Sequence, residues 1–202
     1  MKVKICGITN SEDAQNAIAF GADALGFIFA ESPRRITKEL ARAIIKDFPP
    51  FVTPVGVFVD EETEALKEIC RFCHINTVQL HGDEPPSYLN ELEGYKTIKA
   101  FRIREEHDLK ALPNFHSDAY LLDSYVKGGA MGGTGVVFKW EHAKQAHTCG
   151  AVILSGGLTP ENVKEAIRAV KPYAVDVCSG VESAPGRKNR ILLKQFIINA
   201  KF

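Results

Sequence analysis

The chain has 202 residues, 45% hydrophobic and 25% charged, a composition that excludes a disordered chain and fits one folded domain with its own core. Lysine plus arginine and aspartate plus glutamate each number 25, so the net charge is zero, and no overall positive field draws nucleic acid or anionic lipid. No apolar run approaches the roughly 18 residues of a membrane span, the opening Met1-Lys2-Val3-Lys4-Ile5-Cys6 carries no secretory signal pattern, and the odd, irregularly spaced set Cys6, Cys70, Cys73, Cys149 and Cys178 predicts reduced thiols in the cytoplasm.

Short β-branched apolar runs alternate with amphipathic ones. Residues 3–6 predict a first strand, followed by a helix over 11–20 with Ala14, Ala17 and Ile18 on one side. A second strand over 24–29 leads to a helix over 37–47. A third over 54–59 leads to a helix over 63–72 that spaces Leu66, Ile69 and Cys70 helically. The fourth strand, 77–80, precedes a proline-led helix from Pro85, and the fifth, 97–101, a weaker helix near 105–112. The sixth, 119–123, runs into a glycine-rich loop, 128–135, and a helix near 140–146. After the seventh, 151–154, Thr159-Pro160 offers an N-cap hydroxyl and a proline at the first helical position. The eighth, 174–177, precedes a closing helix over 189–200. Eight strand–helix pairs of about 25 residues each, with no reversal, imply parallel strands joined by right-handed crossovers. They predict an α/β fold, a closed (β/α)8 TIM barrel, as a single domain over residues 1–202. An open doubly wound sheet is the alternative.

A barrel builds its site at the C-terminal ends of its strands, here Cys6, Phe29, Val59, His81, Phe101, Asp123, Ser155 and Cys178. Three glycine-rich junctions, Gly132-Gly133-Thr134-Gly135, Ser155-Gly156-Gly157-Leu158 and Ser179-Gly180, let backbone N–H groups approach an anion. Those after strands seven and eight lie where barrels grip phosphate; tight turns that need positive φ are the ordinary reading. Cys6 puts a thiol at the mouth, a base or nucleophile if its pKa falls and a small buried hydrophobe otherwise. Asp123 ends the apolar run Tyr120-Leu121-Leu122; beside apolar surface a carboxyl keeps its proton and serves as a general acid, and the plainer reading is a loop cap. Arg34, with Arg35 behind Ser32-Pro33, can hold a carboxylate bidentately or be half of a solvated pair. His81 either lines the pocket or bonds loop backbone. Asp176 either contacts substrate hydroxyls or orients its neighbours. Cys70 and Cys73 share one helical face and read as packing, since no second CxxC or HxxxH completes a zinc site.

In order, Lys4-Ile5-Cys6-Gly7-Ile8-Thr9, Gly26-Phe27-Ile28-Phe29, Ser32-Pro33-Arg34, Val55-Gly56-Val57-Phe58, Val78-Gln79-Leu80-His81-Gly82, Leu122-Asp123, the three glycine junctions and Asp176-Val177 resemble the phosphoribosylanthranilate isomerase family from the first strand into the last helix. The resemblance implies a (β/α)8 barrel and an Amadori rearrangement in tryptophan biosynthesis. In it, N-(5-phosphoribosyl)anthranilate becomes 1-(2-carboxyphenylamino)-1-deoxyribulose 5-phosphate. It implies Cys6 as general base, Asp123 as general acid and Arg34 on the anthranilate carboxylate. Backbone amides near Gly133, Gly135, Ser155, Gly156, Gly157, Ser179 and Gly180 would hold the phosphate, with His81 and Asp176 completing the substrate-binding set. One acid and one base suffice for this chemistry, so no metal or cofactor is expected. The expected partner is a small phosphosugar–anthranilate molecule, not nucleic acid or membrane.

The chain departs from the pattern twice. Cys178-Ser179 stands where the family usually has two serines, which predicts a weaker hydrogen-bond partner there. The last helix opens Lys188-Asn189-Arg190, where an acidic residue is common, which predicts a weaker cap. The related histidine-pathway isomerase typically places an aspartate at the first-strand base position, so Cys6 argues against it. A barrel that merely binds a phosphorylated metabolite would need no Cys6–Asp123 pair.

Overall fold

The computed structural model describes residues 1–104, 106–124 and 143–202. Its eight strands are β1 (Lys2–Cys6), β2 (Ala24–Ile28), β3 (Thr53–Phe58), β4 (Thr77–Leu80), β5 (Lys96–Ile103), β6 (Ala119–Ser124), β7 (Ala151–Ser155) and β8 (Ala174–Val177). They pair in chain order, all parallel, and β8 closes on β1 through the register Lys2↔Ala174 to Ile5↔Val177. Closure removes both sheet edges and excludes the open alternative. Outside the ring lie α1 (Ser11–Phe20), α2 (Lys38–Ile45), α3 (Thr63–Cys73), α4 (Val163–Val170) and α5 (Arg190–Lys201). Among the described residues no helix is long and apolar enough to cross a membrane.

Local chemistry sets the helix ends. Asn10 caps α1 by accepting from Asp13 N at 2.9 Å, and Gly21 stops it at φ 103°, a left-handed conformation that costs glycine least. Two expected α-helices are 3₁₀ segments instead, Pro86–Leu92 and Glu106–Asn114. Pro113 lies inside the second, where it removes an N–H donor and its ring clashes with the carbonyl one turn back; Pro86 opens the first at a position that suits proline. A third 3₁₀ segment, Lys144–Thr148, precedes β7; the loop over 128–135, with Gly133 and Gly135, lies outside the described residues, as does Trp140. The helix after β7 starts at Val163, not at Pro160. Thr159 N donates to Asn162 Oδ1 at 2.8 Å and Asn162 Nδ2 to Gly157 O at 2.9 Å, so the asparagine closes a turn ahead of the helix. The weaker cap expected for the last helix is corrected: Asn189 Oδ1 accepts from both Ile191 N and Leu192 N, at 2.9 and 3.1 Å. Before it comes a bulged hairpin that the periodicity did not foresee, β9 (Glu182–Ala184) with β10 (Arg187–Lys188).

Strand alternation splits the core in two. One face of each strand packs outward against helices through Val3, Ile5, Leu25, Phe27, Leu80, Val152, Leu154 and Val175. The other face fills the ring, where Val55, Ile98, Ala100, Ala119, Leu121, Ile153 and Ala174 form an apolar floor. Cys70 and Cys73 are buried in the outer layer, as their spacing predicts. Burial pushes the Cys70 thiol up to about 12, and Cys73 Sγ donates to Lys38 O, so both behave as packing residues.

Candidate active site

Above the apolar floor the ring opens into a cavity of about 450 Å³ at the C-terminal ends of the strands, lined by Cys6, Arg34, His81, Asp123, Ser155 and Asp176 among others. That volume is in the range of small-ligand sites.

The β1–β8 wall carries the densest charge. Lys4 and Cys6 lie two apart and share the inward face, as do Asp176 and Cys178 across the register pair Lys4↔Asp176. Lys4 Nζ donates to Asp176 Oδ1 at 2.7 Å, and Ser155 Oγ donates to Asp176 Oδ2 at 3.1 Å. Lys4 is 3% exposed and Asp176 4%. Burial works against the Lys4 charge, but Asp176 and Cys6 outweigh it and hold the ammonium above its ordinary range. Gly26 makes room for this group: a Cβ there would stand 2.8 Å from Cys6 Sγ and 3.3 Å from Lys4 Nζ.

The Cys6 thiol is held well below its ordinary value. The neighbouring Cys178 thiol is the largest cause, and with the Lys4 and Lys188 charges it overcomes burial and Asp176, which act the other way. Charge counting gives the same sign. The cations Lys4, Lys188 and Arg34 pair with only two carboxylates, Asp176 and Glu182, and a thiolate at Cys6 completes the balance.

Arg34 is aimed by a second cluster. Its backbone N donates to Ser32 Oγ at 3.1 Å. Its Nε and Nη2 grip Glu182 at 2.7 to 3.0 Å, and Lys188 Nζ reaches Glu182 Oε1 at 2.9 Å. Burial opposes the Glu182 charge, yet Arg34 and Lys188 hold its carboxyl below the usual range. With Nε and Nη2 bound, Nη1 is the face left toward the cavity. Gly7, at φ 73°, lets this side chain pass, since a Cβ would stand 2.9 Å from Arg34 Cδ.

On the far side, His81 Nε2 stands 3.5 Å from Asp123 Oδ2. Gln79 Nε2 lies 2.9 Å from His81 Nδ1, which holds the ring with Nε2 toward Asp123. Gln79 is buried, and its Oε1 has no partner among the described residues. The expectation of Asp123 against apolar surface is corrected. Its carboxylate is partly exposed and faces an imidazole, because the inward residues at this height are polar on every neighbouring strand.

The loops after β7 and β8 meet along one side of the cavity. Gly156 and Gly157 take φ 83° and 62°, and a Cβ on Gly180 would overlap the Leu158 carbonyl oxygen. These glycines form tight, closely packed turns that a side chain would disturb.

The structure thus brings Cys6, Arg34, His81, Asp123, Ser155, Gly156, Gly157, Asp176, Ser179 and Gly180 to one cavity. Asp176 orients Lys4 and Ser155, while His81 lines the pocket. Sequence reasoning missed Lys4, Gln79, Glu182 and Lys188. Period-two alternation would have found the first two, which lie two residues before Cys6 and His81; no local signal marks the hairpin residues.

Residues 3–199 match the family described as N-(5'phosphoribosyl)anthranilate (PRA) isomerase. The chain is 52% identical over 203 residues to the N-(5'-phosphoribosyl)anthranilate isomerase of Trichlorobacter lovleyi, covering 100% of this chain and 98% of that protein. To the protein of the same name from Geobacter sulfurreducens it is 49% identical over 202 residues, with the same coverage of 100% and 98%. Its fold is similar to the crystal structure of phosphoribosyl anthranilate isomerase from Thermotoga maritima, with a TM-score of 0.91 and 44% identity over 100% of this chain and 98% of that one. A phosphoribosyl anthranilate isomerase in complex with reduced 1-(O-carboxyphenylamino)-1-deoxyribulose 5-phosphate aligns at a TM-score of 0.88 and 42% identity, again over 100% and 98%. With a match that takes in every strand of the ring and the walls of its cavity, the chain belongs to the N-(5'-phosphoribosyl)anthranilate isomerase family.

Proposed function

We propose that this cavity carries the isomerisation of N-(5-phosphoribosyl)anthranilate to 1-(2-carboxyphenylamino)-1-deoxyribulose 5-phosphate in tryptophan biosynthesis, with Asp123 as general acid and Cys6 as general base. Asp123 gives a proton to the ribose ring oxygen, and the nitrogen lone pair expels that oxygen from C1, opening the ring to an iminium. The Cys6 thiolate takes the C2 proton, and the C2–H electrons move to give an enolamine, which tautomerises to the ketone. The overall change moves hydrogen from C2 to C1 within one molecule, so acid–base groups alone balance it. His81 faces Asp123 through its Nε2 and steadies the carboxylate once the proton has gone.

Arg34 takes the anthranilate carboxylate at Nη1. The glycine loops after β7 and β8 take the phosphate, together with backbone amides near Gly133 and Gly135, which lie outside the described residues. Held at both ends, the open-chain sugar keeps C1 and C2 between acid and base. The free thiols of all five cysteines support a cytoplasmic location, and zero net charge supports a small-molecule partner over nucleic acid.

The observation that carries this reading is the opening of Cys6 and Asp123 into one cavity, between an aimed guanidinium and a paired glycine wall. Cys6→Ala and Asp123→Asn test it. Each is expected to lower kcat by about 10²- to 10⁴-fold while a reduced product analogue still binds. Turnover that survives both substitutions overturns the assignment.

A further inference from the structure

The acid–base steps leave the half-buried Cys178 thiol of the cavity wall unused. Cys178 follows β8 directly, and the register Lys4↔Asp176, Ile5↔Val177 puts Cys6 and Cys178 side by side, one step further along. Neighbouring strands run roughly 4.8 Å apart, and both residues have the inward parity of Lys4 and Asp176. A Cβ on Gly7 would stand 2.9 Å from Cys178 Sγ, so the glycine leaves room for this sulfur as well as for Arg34. Lys188 Nζ holds the residue, at 3.2 Å from Cys178 O and 3.8 Å from its Sγ.

The Cys178 S–H lies 3.9 Å from Glu182 Oε1, and the Cys6 sulfur is its neighbour across the register on the same cavity wall. Glu182 Oε1 already takes Arg34 Nε, Lys188 Nζ and Gly186 N, which leaves the Cys6 sulfur, beside the Lys4 ammonium, as the less crowded acceptor. We propose that Cys178 is a positioning residue for the reaction, its S–H donating to Cys6 Sγ so that the Cys6 sulfur rests as an oriented thiolate while Cys178 keeps its proton.

The opposed shifts of the two thiols fit this division. Cys178 is pushed up, first by its hydrogen bond to Cys6 and then by burial, whereas Cys6 is lowered. The charged groups around the pair are Lys4 and Asp176 from the ring, Arg34 from the loop after β2, and Glu182 and Lys188 from the hairpin. The cations outnumber the carboxylates, so the field favours one thiolate, and the hydrogen bond decides which sulfur bears it. Serine, the usual residue of the family pattern here, can donate in the same way.

The inference rests on Cys6 as the base, and the test separates the two. The whole chain is alkylated with iodoacetamide over a range of pH, and each cysteine is followed by peptide mass spectrometry alongside the pH dependence of kcat/KM. In the unaltered chain Cys6 is expected to label ahead of Cys178. In Cys178→Ala the half-labelling pH of Cys6 should rise by about one to two units, and Cys178→Ser should bring it back. Cys178 labelling first overturns the proposal even if the alanine variant does not fold. So does an unmoved Cys6 profile in folded Cys178→Ala, or a folded serine variant that fails to restore it. A labelling shift with no matching shift in kcat/KM upholds the hydrogen bond and overturns Cys6 as the base.

Discussion

Glu182→Gln is the sharpest perturbation that removes no group proposed to touch the substrate. Glu182 is 5% exposed at its side chain and Arg34 21%, with Lys188 fully covered. Its two oxygens accept Arg34 Nε at 2.9 and 3.0 Å, Nη2 at 2.7 Å, Lys188 Nζ at 2.9 Å and Gly186 N at 3.3 Å. Glutamine keeps the shape and one acceptor but turns an N–H₂ toward N–H donors and leaves two cations without their anion. Breaking one side of a buried pair costs roughly 3–5 kcal/mol, and the retained carbonyl places this change near the low end, about 3 kcal/mol. For a chain of this size that is a fall in Tm of about 6–12 °C.

The pH dependence has a definite sign. The folded carboxyl lies below its ordinary 4.5, so its contribution is complete above that value and is lost as pH falls through the folded one. The gap in Tm between wild type and variant is therefore full at neutral pH and closes in acid. With Arg34 no longer aimed, KM should rise about tenfold and kcat should move less. Thermal melts across pH and steady-state fluorescence assays measure both. A variant with wild-type Tm at neutral pH and unchanged KM refutes the idea that this carboxylate holds the guanidinium.

Other outcomes follow from the same geometry. Arg34→Ala should raise KM more than it lowers kcat, because the carboxylate persists from substrate to product; a pure kcat defect in steady-state kinetics contradicts this. Gly180→Ala drives a Cβ into the Leu158 carbonyl and parts the loops after β7 and β8, so kcat/KM should fall about a hundredfold for a displacement of about 1 Å. Wild-type kinetics there would show that the loops do not hold the phosphate. In the wild-type enzyme the acid limb of kcat/KM should lie below the ordinary thiol value of 9.0, with the rate falling as Cys6 gains its proton. A limb at or above that value removes the thiolate.

The ring was legible because its signals are local. Strand-length apolar runs, their order and their spacing fix eight parallel units, and the last residue of each strand points to the mouth. The reading stopped one layer short: it took Cys6 and His81 but passed over Lys4 and Gln79, which alternation puts on the same face. The hairpin was out of reach for another reason. Arg34 and Glu182 pair across a separation of 148 residues, and neither periodicity nor composition marks Glu182 or Lys188 as partners. Of the helices that differ, the segment Glu106–Asn114 carries Pro113 inside it, and the helix after β7 starts late because the Asn162 side chain closes the turn that Thr159-Pro160 was expected to start.

Ions this deep are costly, several kcal/mol each before pairing, and stability alone would favour apolar residues of similar volume. Their placement explains why they are kept. The ring is apolar up to Leu121 and Ile153 and charged only in the layer above, beside the sulfur. Lys4–Asp176 and Lys188–Glu182 satisfy one another's hydrogen bonds, yet with Arg34 they leave one positive charge unmatched. Among such buried groups that residue of charge is poorly screened, and the Cys6 thiol can answer it by losing a proton. The proposed base is thus readied by the folded chain before substrate arrives, and the cost of burying the ions is met in folding and not in the transition state.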